Sequence, residues 1–453
     1  MTAAATARAP TATRTAGSGR DLPNHRLTTL DSGLRIVTER MPSVRSAAVG
    51  FFVGTGSRGE THEEAGLSHF LEHMLFRGTS RYASAEIDQL FDAMGAELNA
   101  GTDKESTTVY ARMLDQHLPE AFDVMADMVW RPAFNDVDPE REVVLEEIAM
   151  YEDDPQDTVF DVLGTAVFGE HPLGRAIIGR APVIRDTPVE QIAAFHAARY
   201  VPTSIVVAAA GSVDHDDVVL LAERTLGGLR AGARAPRPDP APADPPASLR
   251  FARKDTEQVH VCLGGIGIPR GDDRRFAVRV LDAIFGGLSS SRLFQAVREE
   301  RGLAYSVYSF AGQYADTGQI GLYVGTRPDN LAEAMKVVRD ELERLREHPA
   351  TEEELQRARE NVKARIVLGM ESTGARMHRL GGSLLFDLPL LDTDEVMARI
   401  DAVTLDDLRA LTDELWAPGA LSAAGIGPDE DAFRAAVGDV ATQPAGISEA
   451  NTR

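Results

Sequence analysis

The 453-residue sequence has a single cysteine, Cys262, and no apolar run near the roughly 18 residues that a membrane-spanning helix needs. One cysteine excludes an internal disulfide, so the chain is predicted to work in a reducing compartment, the cytoplasm. Cys262 lies in the alternating run Val259-His-Val-Cys-Leu263, which favours a packed strand residue over a nucleophile. We therefore predict no membrane partner and no thiol chemistry.

Basic residues are outnumbered, because 47 Lys and Arg face 70 Asp and Glu for a formal net charge of −23 at pH 7. This charge argues against nucleic acid or an anionic membrane as a partner, since both would be repelled. It favours a basic peptide as a partner. It fits equally well an acidic surface that serves solubility alone.

Acidic residues are absent from the first 20 positions, which are rich in Ala, Thr and Arg. Such a composition cannot pack and predicts a disordered tail. An Arg-rich, acid-poor start also resembles an organelle transit peptide, so an organelle matrix is the alternative location. We predict five segments: a tail at 1–24, a metal-binding half at 25–231, a linker at 232–247, a second half at 248–440 and a tail at 441–453.

The linker prediction comes from residues 232–247, where alternating proline indicates an extended segment that joins no helix or sheet. The chain after it repeats the chain before it. Pro202 and Gly211 are echoed 216 positions later by Pro418 and Gly427. The sequence thus predicts an α+β fold of two duplicated α/β-sandwich halves.

The stretch that carries chemistry is a predicted helix after Gly66. Its apolar residues recur at i, i+3, i+4, i+7 and i+8, which is typical of a half-buried helix. His69 and His73 lie one turn apart on the opposite face, so both can reach one metal ion. Glu72 shares their face and is placed to take a proton from a water molecule that the metal activates. The order H-x-x-E-H is an inverted zinc-peptidase signature.

A second predicted helix follows Asp138 and supplies the third ligand. Its inward face is expected to hold five apolar or aromatic residues, namely Val143, Val144, Ile148, Met150 and Tyr151. Glu140 and Glu147 project onto that face, whereas Glu146 points away. A carboxylate facing inward needs a partner. We predict that Glu147 binds the metal and that Glu140 orients a ligand histidine; salt bridges to arginines are the alternative.

No second metal site is expected. His171 is followed by Pro172 and flanked by glycines, which indicates a structural loop. Residues 285–289, which lie 216 positions after the histidine motif, read Phe-Gly-Gly-Leu-Ser, and Lys363 stands at the position that corresponds to Glu147. One half would bind metal and the other would not, so we expect one ion per chain.

These residues carry a family resemblance. His69-Phe-Leu-Glu-His73, with Glu147 in a downstream Glu-Arg-x-Val-x-Leu-x-Glu helix, resembles the pitrilysin and mitochondrial-processing-peptidase family over about residues 27–421. The resemblance implies Zn²⁺ held by His69, His73 and Glu147. It also implies Glu72 as the general base and Glu140 as a supporting carboxylate.

The resemblance extends to substrate binding. The family's Arg-x₆-Tyr pair appears as Arg298 and Tyr305, which would donate hydrogen bonds to the substrate carbonyl or its developing oxyanion. Asn99 and Ala100 resemble the edge strand to which family members add their substrate.

The implied function is that of a zinc-dependent endopeptidase acting on unfolded peptides or short polypeptides. The long glycine-rich loop of the noncatalytic processing-peptidase subunit is absent, and only Gly286-Gly287 remains. This departure suits a homodimer whose clam-shell chains enclose a chamber. The alternatives are a structural subunit related to respiratory-complex core proteins and a chamber that holds peptides without cutting them.

Overall fold

The computed structural model describes residues 25–226, 229, 232–233, 238–243 and 245–438. Both predicted tails lie outside the described residues. The described chain is mixed α/β with two sheets and many helices, so the predicted fold class is confirmed. Within the described part of the linker, no helix or strand occurs. No helix in the described ranges is long and apolar enough to cross a membrane.

The first half, residues 25–226, contains strands β1 to β6 and helices α1 to α8. The strands are β1 His25–Thr29, β2 Arg35–Arg40, β3 Ser46–Val53, β4 Glu97–Thr102, β5 Thr107–Leu114 and β6 Ile205–Gly211. The helices are α1 Leu67–Leu75, α2 Ser84–Met94, α3 Leu118–Trp130, α4 Val137–Asp153, α5 Pro155–Phe168, α6 Ala181–Asp186, α7 Val189–Arg199 and α8 His215–Leu226.

The second half, residues 248–438, contains strands β7 to β11 and helices α9 to α15. The strands are β7 Leu249–Arg253, β8 Val259–Gly267, β9 Ala304–Gln313, β10 Gly318–Thr326 and β11 Ser422–Gly427. The helices are α9 Arg275–Phe285, α10 Leu331–Glu347, α11 Glu352–Gly369, α12 Thr373–Leu385, α13 Thr393–Asp401, α14 Leu405–Leu415 and α15 Glu430–Val437. A π-helical turn, Phe294–Glu299, precedes β9.

Apart from the additional strand β1, the two sheets share one connectivity. The first has the order β1-β2-β6-β3-β5-β4 and the second the order β7-β11-β8-β10-β9. In each, the last strand of the half enters the middle, parallel to one neighbour and antiparallel to the other. Every residue of β6 is buried, as expected for a central strand covered on both faces. The duplication that the sequence indicates is thus a duplication of topology.

The halves exchange one helix each. Helix α5 of the first half packs on the second sheet, where Leu163 meets buried Cys262 and Tyr323. Helix α12 of the second half packs on the first sheet, where Met377 meets Phe52. Fully burying such a side chain contributes about 1.5–3 kcal/mol. Because each sheet needs a helix from the other half to cover one face, the two halves complete each other's cores.

An ionic network also joins the halves, between the β4–β5 turn and the β9–β10 turn. Arg58 donates to Glu105 at 2.8 Å and to Asp316 at 2.7 Å, and its side chain is only 2% exposed. Glu105 also pairs with Arg270 at 2.8 Å and accepts the backbone N–H of Ala315. The β4–β5 hairpin is thereby held against the second half.

Candidate metal centre

The N-terminus of helix α1 is bound by a carboxylate that is not part of any sequence motif. Glu60 is buried, and its two oxygens accept the backbone N–H groups of Gly66 at 2.9 Å and Ser68 at 2.6 Å. A negative charge at a helix N-terminus is favourable, although burial raises the pKa of Glu60. Gly66 has φ = 107°, a left-handed conformation that favours glycine. These contacts set where α1 starts and hence where its histidines stand.

The two faces of α1 differ as the sequence predicts. Its buried side chains, which face the first core, are Leu67, Ser68, Phe70, Leu71, Met74 and Leu75. His69, Glu72 and His73 are each partly exposed on the other side. The imidazole rings of His69 and His73 lie 4.7 Å apart between centroids. Both rings therefore face the same point outside the core.

Glu147 of α4 completes a three-residue cluster with these histidines. Its Oε1 lies 3.6 Å from His69 Nε2 and its Oε2 lies 3.3 Å from His73 Nε2. Ligand atoms arranged tetrahedrally at about 2.0–2.1 Å from zinc lie roughly 3.3–3.4 Å from one another. The donor atoms of the three residues lie within 4.8 Å of one another. The spacing and the chemistry of these donor atoms both fit one zinc-sized cation, as the prediction of His69, His73 and Glu147 as its ligands requires.

The two histidines have different surroundings. His73 Nδ1 lies 2.8 Å from Oε1 of buried Glu140, which also pairs with Arg77. This contact leaves Nε2 of His73 free to face Glu147. His69 Nδ1 is buried and has no hydrogen-bond partner among the described residues. Burial, together with the neighbouring His73, lowers the pKa of His69 to about 4, so its ring is neutral at pH 7 and keeps a lone pair for a metal.

Glu72 is held by a residue that sequence reasoning missed. Thr102 Oγ1, at the end of β4, donates to Glu72 Oε2 at 2.6 Å. Burial raises the pKa of Glu72, and the hydrogen bond from Thr102 opposes that rise. A carboxyl with a raised pKa is better suited to accept and return a proton near neutral pH. Only the three-dimensional fold brings Thr102 to this helix, because 30 residues separate it from Glu72.

The predicted substrate strand lies at the edge of the first sheet. Asn99 and Ala100 belong to β4, which pairs on one side with β5 and is the last strand in the sheet order. Asn99 is exposed and Ala100 is partly buried. An outer strand presents unpaired backbone groups to which an extended peptide can add.

Arg298 and Tyr305 contact each other in the second half. Arg298 lies in the π-helical turn, and its guanidinium is 4.4 Å from the centre of the Tyr305 ring. Its NH1 also donates to the Tyr305 carbonyl oxygen at 3.0 Å. The Tyr305 side chain is 76% exposed. Within the described ranges, no hydrogen bond or ion pair joins this pair to the histidine cluster.

Part of the expected inward face of α4 was wrong. The helix begins at Val137, and its buried residues are Val137, Glu140, Arg141, Val144 and Ile148. Val143 is 48% exposed and Met150 is 68% exposed. Glu147 stands at the margin of the buried face, and these two side chains lie beyond that margin, toward solvent. Glu146 is exposed, as expected.

His171 lies in the loop where the sequence placed it. Its Nδ1 accepts the backbone N–H of Leu173, and its Nε2 lies 3.2 Å from the carbonyl oxygen of Asp239. Both ring nitrogens are thus engaged with backbone groups. This arrangement favours the structural interpretation.

Two family models match the chain. Residues 35–181 match the model described as insulinase, peptidase family M16, and residues 187–362 match the model described as the peptidase M16 inactive domain. The first range contains the histidine cluster, and the second contains Arg298 and Tyr305. The two models thus separate the histidine cluster from the Arg298–Tyr305 pair.

Similar proteins occur in bacteria. A Streptomyces coelicolor protein named "uncharacterized zinc protease" is 45% identical over 423 residues, which is 90% of this chain and 91% of the relative. A Bacillus subtilis protein of the same description is 38% identical over 86% of this chain and 95% of the relative. A solved structure of a Helicobacter pylori protease has a TM-score of 0.85 at 23% identity and covers 90% of this chain and 100% of that one. That structural likeness supports the fold.

Proposed function

Because this chain belongs to the M16 peptidase family, we propose that it is a zinc-dependent endopeptidase that hydrolyses unfolded peptides. The observation that carries the proposal is the cluster of His69, His73 and Glu147, whose facing atoms are 3.3 and 3.6 Å apart. Relatives named zinc proteases support both the metal and the reaction class. We propose one zinc ion per chain.

The three ligand residues leave room for chemistry. Two imidazoles and one carboxylate make a three-residue donor set, the number that catalytic zinc sites use while keeping a position open. When bound there, zinc would supply Lewis-acid polarisation of water and of the scissile carbonyl. Glu140 would keep His73 in the tautomer whose Nε2 is unprotonated.

Glu72 is the proposed general base. Its Oε2 accepts the hydroxyl of Thr102, so its Oε1 is the oxygen available to a water molecule in the cleft. Oε1 would take a proton from the attacking water and return it to the leaving amine nitrogen. The hydroxyl oxygen of that water forms the new bond to the carbonyl carbon, and the carbon–nitrogen bond breaks.

Two groups of residues would position the substrate, one in the outer strand β4 and one in the second half. The backbone at Asn99 and Ala100 would pair with an extended peptide, which requires the substrate to be unfolded. Arg298 and Tyr305 would donate hydrogen bonds to the carbonyl oxygen as charge develops on it. The net charge of −23 supports basic peptides as substrates. A homodimeric chamber in the cytoplasm is part of the same proposal.

The test begins with the purified full-length chain and an unfolded basic peptide, with and without a zinc chelator. We expect cleavage that the chelator stops and that added zinc restores. Glu72→Gln should keep zinc bound and lower kcat by about a hundredfold or more, because a general base contributes about 10²–10⁴-fold.

The matched control is Glu146→Gln, the same substitution at an exposed glutamate of α4. It should cleave at the wild-type rate. Cleavage that survives in Glu72→Gln would remove Glu72 from the general-base role. Bound zinc without any cleavage by the wild-type chain would favour the peptide-holding or structural alternatives.

A further inference from the structure

The structure assigns Thr102 the role of a positioning residue that ties the orientation of Glu72 to the substrate-docking strand β4. This inference rests on the proposed function and deepens it. None of the motifs that point to the metal site includes Thr102. The argument has three steps, which concern the hydroxyl proton, the strand and the hairpin.

A threonine hydroxyl has one proton to donate. Thr102 Oγ1 has Glu72 Oε2 at 2.6 Å, and the Ser68 carbonyl oxygen and Thr107 Oγ1 each at 3.4 Å. The shortest contact has the length of a charge-assisted O–H···O⁻ hydrogen bond, which is stronger than one to a neutral group. The proton therefore goes to Oε2. This bond engages Oε2, so Oε1 is the oxygen that would take the proton from a water molecule in the proposed mechanism.

The strand brings the hydroxyl and the peptide-docking backbone together. In β4, exposed and partly buried residues alternate, and Leu98, Ala100 and Thr102 share the partly buried face. This face lies against α1. Since a strand rises about 3.3 Å per residue, Thr102 lies roughly 7 Å along the strand from Ala100. A peptide that pairs with this edge would therefore bind to the same strand that holds the hydrogen-bond donor to Glu72.

The hairpin holds Thr102 from the far side. Thr102 and Thr107 form the last pair of the β4–β5 ladder, and buried Thr107 donates to the Thr55 carbonyl oxygen at 3.1 Å. The turn between them carries Glu105, which is held by Arg58 and Arg270. Thr102 is thus the point at which a rigid hairpin contacts the proposed base.

The test compares three full-length variants in the zinc-loaded protein. Thr102→Val keeps the β-branched shape and removes the hydroxyl. Thr102→Ser keeps the hydroxyl. Thr108→Val is the matched control, because it makes the same change on the opposite face of β5. Zinc content, kcat and KM for an unfolded peptide are measured for each, and a crystal structure of Thr102→Val shows the Glu72 side chain.

We expect Thr102→Val to lower kcat by about ten- to a hundredfold with KM changed less than about threefold, because the lost contact acts on the chemical step. Zinc content should match the wild type, and the Glu72 carboxylate should leave its present orientation. Thr102→Ser and Thr108→Val should stay within about threefold of wild type.

The proposal is overturned if Thr102→Val behaves like Thr108→Val, if Thr102→Ser is as slow as Thr102→Val, or if Glu72 keeps its orientation without the hydroxyl. The crystal structure separates this outcome from a failure of the proposed function. A wild-type chain that does not cleave, together with a Glu72 that moves in Thr102→Val, would refute the peptidase and retain the positioning contact.

Discussion

The two halves present equivalent helices with opposite contents. In the first half, α4 carries Glu147 beside two histidines of α1. In the second half, α11 carries Lys363 at the corresponding position, where it pairs with Glu360 at 2.8 Å and Asp401 at 2.7 Å. Helix α9, which follows β8 as α1 follows β3, contains no histidine and has eight buried residues. One topology thus carries either a cluster of residues suited to a cation or a salt-bridged helix, and the side chains decide which.

The largest predicted effect comes from exchanging these two charges. Glu147→Lys makes the first half like the second, and it should abolish zinc binding and lower kcat/KM by about a thousandfold or more, because the metal contributes several kcal/mol to the transition state. The reverse change, Lys363→Glu, should leave zinc at one ion per chain. Zinc content by atomic absorption and peptide cleavage check both. A second bound ion in Lys363→Glu would contradict the comparison.

The comparison also shows what the sequence could and could not predict. Local patterns sufficed for α1, whose apolar stripe and opposed histidines lie within nine residues. The 216-residue offset pairs α4 with α11 and α7 with α14. It fails earlier in the repeat, because residues 285–289 fall at the end of α9 rather than along a counterpart of α1. A change in loop length shifts the register while the topology stays the same.

Contacts between segments that are distant in the chain could not be predicted from the sequence. The pairing of β2 and β3 with β6 depends on a strand that arrives about 150 residues later. Thr102 and Glu60 have no motif of their own, and the fold alone brings them to α1. The exposure of Val143 and Met150 has a related cause. Helical periodicity finds a face, but the neighbouring helices decide how wide the buried part of that face is.

The next prediction concerns the network that joins the halves. Glu105→Gln removes the charged partner of Arg270 and leaves Arg58 with Asp316 alone, so we expect a loss of roughly 2–3 kcal/mol in the free energy of unfolding. The matched control is Glu97→Gln on the same hairpin, where the pair with Arg112 has the same 2.8 Å length but is mostly exposed. That control should lose less than about 1 kcal/mol. Urea unfolding measures both, and equal losses would show that burial does not matter here.

A smaller predicted effect concerns a second difference between α4 and its counterpart α11. Gln356 stands 216 positions after Glu140 and is exposed. Glu140→Gln therefore gives the first half the residue of the second. Because the charge on Glu140 orients His73, zinc affinity should fall about 10- to 100-fold. Competition with a chelator measures this, and Glu142→Gln, at an exposed position of the same helix, should not change it.

The smallest effect is a difference in how acid affects the two halves. Burial raises the pKa of Asp282 on α9 from 3.8 to about 6, although Ser309 donates to it and Arg365 is near. At Glu39, burial is outweighed by His25 and by Arg376 and Arg379 of α12, which lower its pKa to about 2. Because the pKa of Asp282 is raised in the folded state, its carboxyl group stabilises the folded protein below pH 3.8, and that contribution is lost as the pH rises to about 6. The contribution of Glu39 is present above pH 4.5 and is lost as the pH falls toward 2.

Asp282→Asn should therefore flatten the stability profile between pH 4 and 6 and raise stability at pH 7 by on the order of 1 kcal/mol. Glu39→Gln should flatten the profile below pH 4.5 and lower stability at pH 7. Urea unfolding across this pH range compares the two variants with wild type. If both variants changed stability in the same pH range, the pKa values of the two carboxyls would not differ as their surroundings require. Effects in the two expected pH ranges would show that, between about pH 2 and 6, one topology holds a charged carboxyl in the first half and a neutral one in the second. The side chains that the fold brings to each carboxyl cause this difference.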